Sequence, residues 1–226
     1  MNNTRIAYSR CTTCIVVLLL LLTHLRADAH TLPYDFQNMS QGTIGWIYLS
    51  MGFNHIVPYG LDHILFVLGI FLLNPKLKSV IWQATAFTLA HSVTLSLAAY
   101  GHIQPQPHFI EPVIAMSIVF VGIENLLATE LKWWRVVVIF LFGLIHGCGF
   151  AGVLAEIGLP EHDNILALAS FNLGVELGQI AVILAAYAFI ARLFADKSWY
   201  RNRISIPLSL CITAVALYWT VVRITG

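Results

Sequence analysis

Long apolar stretches broken by short polar loops constrain this chain more than any other feature. They run at about 60–76, 78–100, 110–128, 134–157, 164–194 and 204–224. Apart from the first, each reaches the roughly 20 residues that a helix needs to cross a bilayer. Charged residues make up 10% of the 226 residues, against about 25% in a soluble domain. That rules out a soluble globular enzyme and a disordered chain. Twelve Lys and Arg against eleven Asp and Glu leave no basic footprint for phosphates, so nucleic acid is excluded as a partner. The partner that the composition demands is the lipid bilayer.

Residues 1–29 read as a secretory signal peptide. Arg5 and Arg10 form a basic start, Cys14 to Leu22 an apolar core too short to span, and Ala27-Asp28-Ala29 a small-x-small cleavage site. Cleavage after Ala29 leaves His30 at the new N-terminus, where a free amine beside an imidazole can chelate a divalent ion. Residues 30–43 are then a short extracytoplasmic segment, and 44–226 a single transmembrane helical domain. Cys11 and Cys14 leave with the signal, while Cys148 and Cys211 sit in apolar runs and read as buried structural thiols.

Residues 44–57 form a further apolar piece, ended by Pro58-Tyr59-Gly60, which breaks a helix. The expected fold is all-α: six transmembrane helices plus a short half-helix before the first. Charge placement agrees with six crossings. With His30 outside, Lys76, Lys78, Lys132, Arg135, Arg192, Lys197, Arg201 and Arg203 all fall inside, as positively charged loops do. Both mature ends are then extracytoplasmic, and Arg223 is the one basic residue of this set that falls outside.

Ionisable residues within the apolar runs carry the functional signal, because each costs at least about 2.5–3.5 kcal/mol near a bilayer centre. They are His55, Asp62, His63, His91, Glu124, His146 and Glu176. His55 ends the half-helix and Asp62-His63 opens the next helix, so the break lets two helix ends converge. Imidazole and carboxylate donors suit borderline divalent ions: nickel, cobalt, copper and zinc. Asp62 reads as a ligand, a group orienting an imidazole, or a helix cap. His91 and His146 lie at matching depth, the latter between Gly143, Gly147 and Gly149, which permit close helix approach. Asn172, Glu176 and Gln179 line one helix face. The amides can serve as interhelical hydrogen bonders, whereas a buried Glu176 needs a cation or a proton. Glu124 either marks an inner exit or pairs with Lys132 or Arg135, and Glu111 complements a helix dipole.

Five ordered strings resemble one family. They are His55-Ile-Val-Pro-Tyr-Gly-Leu-Asp62-His63, Ala86-Phe-Thr-Leu-Ala-His91-Ser, Ile110-Glu111-Pro-Val-Ile-Ala-Met, Phe142-Gly-Leu-Ile-His146-Gly-Cys-Gly and Phe171-Asn172-Leu-Gly-Val-Glu176-Leu-Gly-Gln179. Together, from about Gly45 to Arg192, they resemble the HupE/UreJ membrane proteins, accessory to hydrogenase and urease. The resemblance implies a bacterial inner-membrane protein, nickel as the foremost ion, and a nickel-enzyme maturation system as partner. It also implies metal roles for His55, Asp62 and His63.

Two functional classes follow. The first is a permease or delivery protein for a divalent transition metal, with His55, Asp62, His63, His91, His146 and Glu176 as the metal set. The second is a membrane-embedded hydrolase with zinc on the same residues: three histidines and an aspartate could hold it with a position open for activated water, and Glu176 or Asp62 could act as base.

Overall fold

Punctuating residues set the helix ends. The structure, a computed structural model, describes Phe36, residues 39–152, Leu154, 158–160 and 162–226. The expected signal peptide 1–29, His30 and most of the 30–43 segment lie outside these residues. Ser40 Oγ accepts the Thr43 N–H at 3.3 Å and starts helix α1, Gln41–Ile56. After the Pro58 break come α2, Leu61–Leu73, and α3, Leu77–Ala99. Helices α4, Pro107–Leu127, and α5, Trp134–Gly149, follow. Helix α6, Asn164–Phe194, contains one π turn at Tyr187–Ala191, and α7 is Arg201–Thr225. The described residues are all-helical, with no strand among them.

Helices α4, α6 and α7 are each long and apolar enough to cross a membrane. The pair α1 and α2 makes a fourth candidate, as one broken span or re-entrant loop bent by 65°. This differs from the expected half-helix followed by a full crossing. Helix α2 has 13 residues, about 20 Å at 1.5 Å per residue, because Asn74-Pro75 stops it. The break therefore divides the apolar stretch into two pieces of similar length. Helix α3 has 23 residues, but a polar stripe of Ser, Thr and His lowers its apolarity. Helix α5 ends after 16 residues at Gly149, short of the expected 157. Large apolar side chains such as Leu127, Ile165 and Phe189 point outward, which suits lipid better than water. The apolar helices mark a membrane protein.

The helices pack mainly in pairs: α1 on α6, α3 on α5, and α4 on α7. Two small-residue seams draw the first two pairs together. A Cβ at Gly143 would strike Phe87 O and Ala90 Cβ, and one at Gly147 would strike His91 O and Thr94 Oγ1. Likewise Gly174 lies against Leu49 O, and Gly178 against Ile56. These seams set where the histidines of α1, α3 and α5 can meet. Tyr48 ties α1 to the loop before α6 by donating to Gly158 O at 2.6 Å.

A polar assembly sits where α2 and α4 end and α5 and α7 begin. Arg135, 1% exposed, pairs with Glu124 at 3.2 Å and donates to Asn125 Oδ1 at 3.4 Å. Asn125 donates to Gly69 O and Ser209 Oγ. Arg201 caps the end of α4 through Asn125 O, Leu126 O and Ala128 O. Tyr200 and Ser205 both donate to Leu72 O at the end of α2. Of the two alternatives for Glu124, the structure shows pairing with Arg135.

Candidate metal centre

The Val57 to Gly60 break gathers the first two histidines. His55 lies in the last turn of α1 and His63 in the first turn of α2. Gly60 permits the turn, since a Cβ there would strike His55 O. The two rings approach to 4.7 Å between centroids. Helix α3 brings His91 to 5.9 Å from His63 and 6.1 Å from His55. The Gly143 and Gly147 seam then lets α5 set His146 at 5.0 Å from His63.

One ligand nitrogen from each of His55, His63 and His91 lies within 4.8 Å of the others. Nitrogens bound at about 2.0–2.1 Å around a tetrahedral ion stand about 3.4 Å apart. Rotation of the side chains by an ångström or so would therefore close the triad on an ion. His63 is 6% exposed, His91 0% and His146 1%. His55 Nε2, His63 Nε2 and both nitrogens of His91 are buried with no hydrogen-bond partner. Buried polar atoms are usually paired, so these four nitrogens, on three rings that adjoin one another, are candidate donors for a ligand.

The surroundings are dry and aromatic. Phe150 lies 4.2 Å from His55, Phe87 4.9 Å from His146, and Phe66 5.3 Å from His146, between ring centroids. His146 stands outside the triad, with its tautomer set by Ser117. Ser117 Oγ donates its one hydrogen to Ile114 O at 2.7 Å and accepts from His146 Nε2 at 3.0 Å. That leaves Nδ1 of His146, also buried and unpartnered, as the bare nitrogen.

Both carboxylates of the expected set are engaged elsewhere. Asp62 Oδ2 pairs with Arg223 of α7 at 2.9 Å instead of joining the imidazoles. Adjacent helix residues point about 100° apart, so Asp62 and His63 cannot both face one point without a shift. Glu176 Oε1 accepts from Thr85 at 2.6 Å, nearer the middle of the bundle. Its neighbour Gln179 accepts from Thr88 at 3.2 Å, and Asn172 lies against His91. A groove of about 340 Å³ between α3 and α6, lined by Ser92, Ser96, Tyr100 and Asn172 among others, opens beside that contact.

Sequence reasoning passed over three partners. Ser117 and Thr85 gave no signal, being ordinary hydroxyls in apolar helices. Arg223 did give one: in the expected six-crossing pattern it is the basic residue left outside, and the structure pairs it with Asp62.

The sequence model described as HupE / UreJ protein matches residues 33–223. The chain belongs to the HupE/UreJ family. The match reaches all seven described helices and every histidine of the cluster, so the family resemblance of the five strings holds across the domain. Comparisons with curated proteins and with solved structures find no match.

Proposed function

We propose that this HupE/UreJ protein binds a divalent transition-metal ion within the membrane at His55, His63 and His91, and carries it across or hands it on. Nickel is the foremost candidate, with cobalt, zinc and copper as the alternatives that imidazole donors accept. The observation that carries the reading is the triad itself: three histidines from three helices, each with a ligand atom within 4.8 Å of the others and each with a buried ring nitrogen that lacks a partner. His146 Nδ1 supplies a fourth donor close to His63. Glu176, lower on α6, offers a carboxylate for the ion's onward passage. The ion is the cargo, and its imidazole ligands must be neutral to hold it.

The charge pattern supports a six-crossing arrangement, with α1 and α2 as one broken segment, and the family resemblance suggests the inner membrane of a bacterium. Cleavage of residues 1–29 would put both mature ends outside. A nickel-enzyme maturation system is the fitting recipient. A hydrolase reading needs a carboxylate base at the triad. Asp62 is held by Arg223 and Glu176 by Thr85, which favours transport or delivery.

The test is uptake by proteoliposomes, with nickel, cobalt, zinc and copper compared side by side. The natural chain should accumulate at least one of them, and His63→Ala and His91→Ala should each abolish accumulation at undiminished protein level. Full uptake by both variants would remove the triad from the pathway.

A further inference from the structure

The nearest carboxylate to the histidine cluster is not free. Asp62 immediately precedes His63 in the first turn of α2, yet its Oδ2 is held by Arg223 at 2.9 Å. Its other oxygen, Oδ1, is buried and has no partner. The guanidinium is itself braced: it donates to Glu111 O at 3.2 Å and lies 5.5 Å from the Trp219 ring. It is also close enough to act electrostatically on His146. Arg223 thus stands at the rim of the cluster as a fixed positive charge.

A divalent cation among neutral imidazoles in a dry, aromatic space needs negative charge nearby, because burying an uncompensated charge is costly. While Asp62 is paired to Arg223 the two sum to zero and offer none. We infer that Arg223 is a built-in counter-cation for Asp62, which an arriving divalent ion displaces to gain the carboxylate. The inference rests on the metal reading above and adds a residue that sets its charge selectivity. Arg223 has somewhere to go. It sits in the last turn of the last helix, 23% exposed, where a long side chain can swing its charge outward to the interface. The freed Asp62 needs only a rotamer change and a small shift of the first turn of α2 to face the imidazoles. A monovalent ion offers Asp62 no more charge than the guanidinium does and forfeits its hydrogen bond to Oδ2, so exchange favours a doubly charged cargo.

The test uses the full-length chain in lipid nanodiscs with cobalt(II) chloride as probe, read by the visible absorption of bound cobalt and by thermal midpoint. Arg223→Gln frees the carboxylate and removes a repelling charge, so it should bind cobalt about tenfold more tightly than the natural chain. The exchanged pair, Asp62→Arg with Arg223→Asp, keeps an ion pair and should keep the thermal midpoint. It puts the guanidinium beside His63, and cobalt affinity should fall about tenfold or more. Should Arg223→Gln fail to fold, Arg223→Lys replaces it, and its weaker grip on the carboxylate should still tighten cobalt binding. Unchanged cobalt affinity in the Arg223 variant together with natural affinity in the exchanged pair would overturn the inference, leaving a structural ion pair. That outcome differs from failure of the metal reading, in which the natural chain itself binds no cobalt and both fall.

Discussion

The two ends of the helical bundle each bury several polar side chains, and they treat them in opposite ways. At one end Arg135, Glu124, Asn125 and Arg201 face opposite charges, amides or the carbonyls that α4 leaves open at its terminus. At the other, His55, His63, His91 and His146 crowd together, with five of their nitrogens bare. Burial alone does not separate the two, since Arg135 at 1% exposure is as buried as His146. A census of bare atoms does not either, because Arg135 Nη1 also lacks a partner. The neighbours do: Arg135 faces the Glu124 carboxylate at 3.2 Å, whereas the imidazoles face one another.

Substitutions should sharpen that contrast. The largest effect on metal binding should come from His91→Ala, which removes a proposed triad ligand. Isothermal titration with nickel should show binding lost, while the thermal midpoint stays level or rises, because an unpartnered buried group is removed. Arg135→Ala should do the reverse: it strands Glu124 without its cation and should destabilise the fold by about 3–5 kcal/mol. Nickel affinity of the folded fraction should be unaltered. A loss of binding without a loss of stability at Arg135 would break the comparison.

Smaller effects test the joints between the two ends. Gly147→Val puts carbon against His91 O and Thr94 Oγ1, forcing α3 from α5. It should cost about 1–3 kcal/mol by overpacking and weaken nickel binding in the same protein, since His91 moves with its backbone. Thr85→Val removes the donor to Glu176 and should cost about 1 kcal/mol in denaturation, with the triad's nickel affinity unchanged. The smallest effect should be at His102 and His108, which are exposed in the loop before α4 and at its start. Alanine at either should leave nickel uptake within experimental error.

The cluster was legible because it contradicts its surroundings. A histidine in an apolar run carries an insertion cost that a sequence does not hide. Pro58-Tyr59-Gly60 likewise declares a break, and His55 and His63 flank it at helix ends. What a chain does not declare is which partner a polar side chain chooses. Asp62 meets Arg223 across 161 positions, and Glu176 meets Thr85 across 91, through packing that only the assembled helices create. Glu124 with Arg135 was readable as one of two pairings because only 11 positions separate them. Two helix ends were less legible because apolar runs continue through them: α2 stops before Asn74-Pro75, and α5 stops at Gly149 with Phe150 as its cap.

His55 and His63 flank a 65° corner in the chain, one on each arm. Anything that grips both rings is a splint across that corner. A metal ion seated there would fasten α1 to α2, and through His91 both of them to α3, adding a direct tie between helices that otherwise pack mainly on α6, α4 and α5. Its departure would leave the corner to the four residues of the turn. The cargo would then be, for as long as it stays, a part of the frame that carries it.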